Sequence, residues 1–335
     1  MSAVSMGDLA QSVLLRRQNV EIKTEISRLT SELSSGRVQD VTRHLGADLS
    51  YLTDVERSLQ LNAAVTNSTK EAASYTAMMQ SSLNHMQEAL GGLSSEILGL
   101  NASGLNQTAQ HVSSTARAAM DTILSTLNTS VAGRALFAGS TTDAAAMQGA
   151  ETILSDLRGA VAGQTTLAGV EAVLDNWFDV GGGYDSVAYS GSSENLSPFQ
   201  LGDGERIELN IKADDAVFRE TLKAVSLAVL SQDNTLGFGA DLKTQMLTRS
   251  GELSFAAGNE ITGTRANLGY AEARIEDATV RLAVQKTSFE MARNALISAD
   301  PYDTVVKLEQ TQFRLESLYT ATARLSELSL VGFLR

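Results

Sequence analysis

Leu268, Ile275, Leu282, Phe289 and Leu296 recur every seven residues. That period returns side chains to one face of an α-helix and matches nothing a strand or loop can do. The stretch must be one long helix whose apolar line needs another helix to cover it. Ala271, Ala278 and Ala292 stand in the intervals, where small side chains let a neighbouring helix come close. The same signature runs through both ends of the chain. Leu15, Ile22, Ile26, Leu29 and Leu33 follow at seven, four, three and four residues. "SSGR" comes next, and Gly36 suits the left-handed conformation that ends a helix. Leu45, Leu52 and Leu59, again at sevens, predict a helix resuming near Leu45.

Met79, Leu83, Met86, Leu90, Leu93 and Ile97 alternate by four and three, the pattern of a bundle core. Gly99 and Gly104 bracket an expected turn. Val112, Ala116, Ala119, Ile123 and Leu127 then continue helically towards Gly133. Near the other end, "SADPYD" interrupts the pattern: Asp300 is expected to cap a helix whose first turn holds Pro301. Val305, Leu308, Leu315, Leu318 and Leu325 form the last seam, followed by the apolar "LSLVGFL" of residues 328–334. Only two prolines and 5% aromatic residues accompany 43% apolar ones, which favours aliphatic helical seams over a β-sandwich or a dinucleotide-binding fold.

The middle reads differently. "ETILSDLRGAVAGQTTLAGVEAVLDNWF" predicts two short helices joined at Gly163, while "DSVAYSG" and "RIELNIK" alternate as short strands do. Six aromatics fall between Trp177 and Phe218, against Tyr51 and Tyr75 alone in residues 1–135. Residues 141–214 are therefore expected to be a compact insert with its own small core, including Trp177 and Phe178. The fold class that follows is mainly α: a long coiled-coil-like helical bundle formed by N- and C-terminal segments, with a small α+β insert in the middle. The expected regions are 1–44 with 300–335 as a terminal paired-helix assembly region, 45–140 with 215–299 as the helical bundle, and 141–214 as a variable outer domain.

Charge divides along the same lines. Thirteen acidic and three basic residues lie between Thr141 and Val217, most of the net −13 of the chain. Residues 1–45 and 300–335 are close to neutral. The acidic middle reads as a solvated surface, the ends as faces that can approach other helices. No basic stripe favours nucleic acid, and no apolar run is long enough for a membrane span or a signal peptide. The chain is expected either to stay in the cytoplasm or to leave by a route without a cleaved signal. With no cysteine there is no disulfide or thiolate site.

Residues that could carry chemistry are scattered. His44, His85 and His111 share no metal-binding spacing. Asp214 and Asp215 could be imagined as an acid–base pair, but a helix start before Val217 explains them better. "LGDGER", residues 201–206, fits a hairpin turn rather than a phosphate loop. No catalytic, cofactor or metal residues are assigned, and no enzyme activity is expected. The expected functional surface is instead an assembly interface. Leu15, Ile22, Ile26, Leu29 and Leu33 would pack with Leu308, Leu315, Leu318 and Leu325, within and between subunits. Leu330, Phe333 and Leu334 would fill pockets on neighbouring copies, because two lone helices cover about one stripe each. A large side chain contributes about 1.5–3 kcal/mol only when it is covered.

Several of these residues resemble the bacterial flagellin family. "ISRLTSELSSGR" looks like the family's "rLsSG-r" motif closing the first terminal helix. "TRANLGYAEARIE" and "ISADPYDTVVKLEQTQFRLESLYTATARLSELSLVGFL" are similar to its C-terminal segment. "GRALFAG", residues 133–139, is more similar to members at the junction of hook and filament, the hook-associated proteins, than to filament-forming ones. The tail "LSLVGFLR" departs from the family's shorter "LSLLR" ending. The resemblance covers about the first 140 and last 120 residues. It implies terminal helices paired in an inner region, a helical bundle next to them and an insert facing outward. It also implies export through the flagellar secretion channel without a cleaved signal, with a cytoplasmic export chaperone on the apolar terminus. Outside the cell the subunits would form a homo-oligomeric ring in the flagellum, touching neighbouring hook-associated proteins and flagellin. A filament flagellin and a cytoplasmic coiled-coil binding module are the alternatives.

Overall fold

The computed structural model describes residues 6–100 and 105–333, with side chains at residues 10, 12–99 and 111–324. The protein is mainly helical. In chain order come α1 (Met6–Ser35), α2 (Val41–His44), α3 (Ser50–Leu100), α4 (Leu105–Leu127) and a hairpin of β1 (Ser130–Val131) and β2 (Arg134–Ala135). Then follow α5 (Ala150–Val161), α6 (Leu167–Phe178), a π-helical turn (Tyr184–Ala188) and a hairpin of β3 (Phe199–Gln200) and β4 (Arg206–Ile207). The chain continues with α7 (Ala216–Ser231), α8 (Ala240–Ile297) and α9 (Pro301–Phe333). It divides into two compact units, one of Met1–Asn62 with Val284–Arg335, the other of Ala63–Ala283.

The Ala63–Ala283 unit holds the main core. Met79, Leu83, Met86, Leu90, Leu93 and Ile97 are all buried along α3, as their spacing predicts, and Ala72 and Tyr75 extend the row. On α4, Val112, Ala116, Ala119, Ile123 and Leu127 are buried likewise, and α4 packs on α7. α8 runs antiparallel to α3: Ser94 reaches the Gly251 carbonyl at 3.5 Å, and Gln80 donates to the Arg265 carbonyl at 2.8 Å. At Gly251 the two helices are so close that a Cβ would stand 2.8 Å from Ile97 Cγ2. Arg265 donates to Gln80 and Gln87 at 3.2 and 2.7 Å, and Gln87 donates to Thr262 at 2.8 Å. These polar bonds fix the register that aliphatic side chains leave free.

The two short helices of the insert form as expected, with Gly163 between them at φ +81°. Trp177 and Phe178 are buried, and the indole donates to Asp156 at 2.6 Å. Their surroundings are not a separate core: apolar side chains of α5 and α6 are continuous with those of α3, α4, α7 and α8. "DSVAYSG" is not a strand. Tyr184–Ala188 coil into the π-helical turn, where Tyr184 is buried and donates to the Ala213 carbonyl at 2.5 Å. A strand there would need a partner, and only Tyr189 finds one, in a single bridge to Met147. "RIELNIK" contributes just Arg206–Ile207, paired antiparallel with Phe199–Gln200 across the "LGDGER" turn.

The "GRALFAG" motif turns β1 into β2 and then sinks into the core. Leu136, Phe137 and Ala138 are buried, and the Phe137 ring meets Phe218 edge-on at 5.7 Å. Its last residue, Gly139, has φ +64°, and a Cβ there would overlap the Glu194 carbonyl oxygen. Only glycine serves both conditions.

In the unit of Met1–Asn62 with Val284–Arg335, α1 stops where expected, with Gly36 at φ +68° donating to the Glu32 carbonyl at 2.8 Å. The next long helix starts later than Leu45 predicts. Gly46 and Ala47 both take positive φ, which interrupts α-helix, so α3 begins at Ser50. Asp300 caps α9 as expected, accepting from Tyr302 and Asp303 backbone N–H groups at 2.9 and 3.2 Å. The expected turn between Gly99 and Gly104 lies largely outside the described residues.

Candidate assembly interface

α1 packs antiparallel on α9. Near Gly36 the chain is tied to the α8–α9 turn: Ala299 donates to the Gly36 carbonyl and Val38 to that of Ile297, both at 3.0 Å. Towards the other end of the pair, Lys23 lies over the Tyr319 ring at 6.0 Å. Hydrogen bonds with Asn19 and then Lys23 hold the Tyr319 hydroxyl below its ordinary pKa.

Leu29 is buried at 1% exposure; Leu15, Ile22 and Ile26 on α1 and Leu308, Leu315 and Leu318 on α9 are half-buried. Leu33 does not enter this seam, being 39% exposed, and its neighbour Glu32 is buried instead. The bonds that Arg28 and the Gln39 backbone make to Glu32 favour burying that residue over Leu33. Leu325, Leu330 and Phe333 belong to α9, but their side chains lie outside those described, and Leu334 lies outside the described residues.

Two seam residues escape a hydrophobic reading. Thr304 and Thr311 are buried in α9, completing a four–three alternation with Leu308, Leu315 and Leu318, while Val305 is turned out. The threonine hydroxyls donate back along their own helix, to the Asp300 and Lys307 carbonyls at 2.7 Å. Their methyl groups are then free to face α1, which makes them short apolar residues in effect. Counting only large aliphatic residues hides them.

The burial of Glu32 is offset by two hydrogen bonds to its Oε1. It accepts from Arg28 at 2.6 Å and from the Gln39 backbone at 2.9 Å. Arg28 also grips Glu25. That hydrogen bond holds the Glu25 carboxyl below the usual carboxylate range. A cleft of about 360 Å³ opens here, floored by Leu29 and Ala299 and walled by Glu25, Arg28, Arg43 and Asp303. Its charged walls are unlike the apolar lining of a small-molecule pocket.

Outside the seam, both helices carry large apolar side chains in the open. Val13, Leu14 and Val20 on α1 are more than half exposed, as are Tyr302 (81%) and Phe313 (69%) on α9. These residues have the size and exposure of an interface waiting for cover.

The remaining candidates behave structurally. His44, His85 and His111 are exposed, each on a different helix. Asp215 is the N-cap residue of α7; its carboxylate accepts from the Lys212 backbone at 3.0 Å, and burial raises its pKa. Asp214 pairs with Lys212 at 3.4 Å. What joins this region is Arg219, which sequence reasoning passed over. It is buried, donates to the carbonyls of Asp214 (2.7 Å), Phe178 and Asp179 (3.2 Å each), pairs with Asp185 and covers the Tyr184 ring. A lone arginine among the apolar residues of "AVFRETLKAVSLAVLS" was the available signal. Among the described residues no helix is long and apolar enough to cross a membrane.

Residues 255–334 match the model of the bacterial flagellin C-terminal helical region. The fold is similar to that of Bacillus cereus FlgL, at 12% identity over 72% of this chain and 98% of that chain, with a TM-score of 0.51. A structure described as a flagellar hook-associated protein from Vibrio parahaemolyticus aligns at 16% identity over 71% of this chain and 95% of that chain, with a TM-score of 0.41. No curated protein matches the chain.

Proposed function

We propose that this chain is a structural subunit of the bacterial flagellum, forming the junction between hook and filament by helix packing between subunits. One observation carries the reading. The region matched as flagellin C-terminal helices contains the whole of α9, and α9 and α1 each leave large apolar side chains uncovered. The "GRALFAG" motif favours the junction over the filament.

In this reading Leu15, Ile22, Ile26 and Leu29 pack with Leu308, Leu315, Leu318 and Leu325 within and between subunits, Leu33, exposed in the single chain, packs only between subunits, and Leu330, Phe333 and Leu334 complete contacts on neighbours. Residues 1–44 with 300–335 form the assembly region, 45–140 with 215–299 the bundle, and 141–214 the outer domain. The subunit acts without catalysis, in a homo-oligomeric ring between other hook-associated proteins and flagellin. It reaches the cell exterior through the flagellar export apparatus, delivered by an export chaperone and without a cleaved signal.

Deleting the gene and examining the cells by electron microscopy tests this. The expected result is hooks without filaments and flagellin shed into the medium. Filaments of normal length would overturn the reading. Purified protein offered filament seeds is expected not to elongate them; elongation would make it a filament flagellin instead.

A further inference from the structure

α8 has two faces. Ile261, Leu268, Ile275 and Ala278 are buried in the core. Phe255 (67%), Tyr270 (72%) and Val280 (60%) stand in the open. At about 100° per residue, Tyr270 and Val280 fall within about 60° of Phe255 around the helix, on the side away from the buried row. Between them on this stripe Asn259, Thr262, Ala266, Ala273 and Asp277 are exposed too, and only Asp277 is charged. The sequence repeats the phase at Val284 and Met291, also exposed. Single exposed apolar side chains are ordinary on a surface. Here every large one that α8 exposes shares one phase.

The stripe complements itself when two copies of α8 cross antiparallel about a twofold axis level with Leu268. Phe255 then meets Val280, and Tyr270 lies over Ala266, large against small. Asn259 meets Asp277. Among the described residues neither side chain makes a hydrogen bond or ion pair, so an amide donor and a carboxylate acceptor are available to each other. Near the crossing, a Cβ added at Gly263 would meet nothing within 4 Å. Small residues at such a point let two helices approach closely. A parallel pair in register would instead set Asp277 against Asp277, which like charges oppose. Phe255 and Tyr270 together bury about 300 Å² per copy when covered. With Val280 and the small residues between them, the two copies bury about 1,000 Å², the lower end for a specific interface.

We propose that the free chain forms an antiparallel dimer through residues 255–280 of α8. Each copy gives the same patch, so the contact closes at two copies and cannot extend into a ring. It is separate from the α1 and α9 surfaces and does not rest on the flagellar reading.

Sedimentation equilibrium of the full chain tests this. Dimer is expected to grow in between about 1 and 100 µM, as suits a small interface. Ala266→Arg, at an exposed position, is expected to weaken it by about tenfold or more with helix content unchanged by circular dichroism. Val20→Ser on α1 is expected to leave it as tight as before. Orientation is read from cross-links, which a chain without cysteine makes clean. Asn259→Cys and Asp277→Cys chains, mixed in equal amounts and oxidised, are expected to join mostly to each other. The proposal is overturned by a chain that stays monomeric throughout that range, or by a dimer that Ala266→Arg leaves unchanged or Val20→Ser weakens as much. Mixed cross-links at or below the half that random collision gives would overturn the antiparallel register.

Discussion

Leu29 and Leu33 sit one helical turn apart in α1 and share a side chain, yet the fold treats them oppositely. Leu29→Ala empties a buried site and is expected to cost about 2–5 kcal/mol. Leu33→Ala changes an exposed position and is expected to stay within about 0.5 kcal/mol. Hydrogen-exchange protection of α1 and α9 in the two variants measures the difference. Asp215 offers a test of sign. Burial raises its pKa in the folded chain, first among its influences, with the Lys212 N–H opposing. The folded state therefore favours the protonated form. That favour is present at low pH and is lost as pH rises through the folded pKa, leaving a half-buried ionised carboxylate at neutral pH. Asp215→Asn, which keeps an acceptor for the Lys212 N–H, is expected to raise the unfolding midpoint at pH 7 and to lose its advantage below about pH 4, the ordinary range of the group. Glu25 has the opposite sign: with its pKa lowered by Arg28, its contribution is present above the ordinary carboxylate range and fades as pH falls through the lowered value.

At the scale of elements, the seam of α9 is two residues longer in substance than its aliphatic residues advertise. Because the Thr304 and Thr311 hydroxyls bond only within α9, Thr304→Val and Thr311→Val strand no group on α1. Each is expected to leave the α1–α9 pair at least as protected as before, by up to about 1 kcal/mol, read as slower amide exchange in both helices. The same reasoning explains what was legible in the sequence. Sevens, fours and threes of Leu, Ile and Met locate the buried faces of α3, α4 and α8, because burial of a large aliphatic side chain and helical period are one signal. Asp300, Pro301 and Gly36 mark helix ends because each needs a particular backbone. The π-helical turn at Tyr184–Ala188 was illegible, since alternation of small and apolar residues over so few positions reads as a strand unless the anchoring of Tyr184 is known. Leu33 was misplaced within the seam for a related reason: spacing alone does not report that Arg28 and Gln39 make it favourable to bury Glu32. Arg219 needed partners brought from the end of α6, the π-helical turn and the residues before α7, and no local pattern announces that.

Across the molecule, charge is divided between an acidic surplus from Thr141 to Val217 and near-neutral ends. In the proposed reading the like-charged middle segments repel, and association concentrates on α1 and α9, where apolar residues stand uncovered. In the proposed reading Phe333→Asp adds a charge at that end. It is expected to leave helix content and the unfolding of the Ala63–Ala283 unit unchanged while abolishing assembly, measured by circular dichroism and by sedimentation of assembled material. Assembly at the original level would remove the tail from the interface. The inward-turned hydroxyls of α9 bear on how such copies could find one another. Between Thr304 and Leu315 the buried positions of the helix are threonines whose hydroxyls are already bonded within α9 and leucines, flanked by Lys307 at the charged cleft. In the proposed reading that stretch sets no polar register of its own, and register along the pair comes instead from groups at its ends, such as the backbone bonds that join Gly36 to Ala299 and Val38 to Ile297.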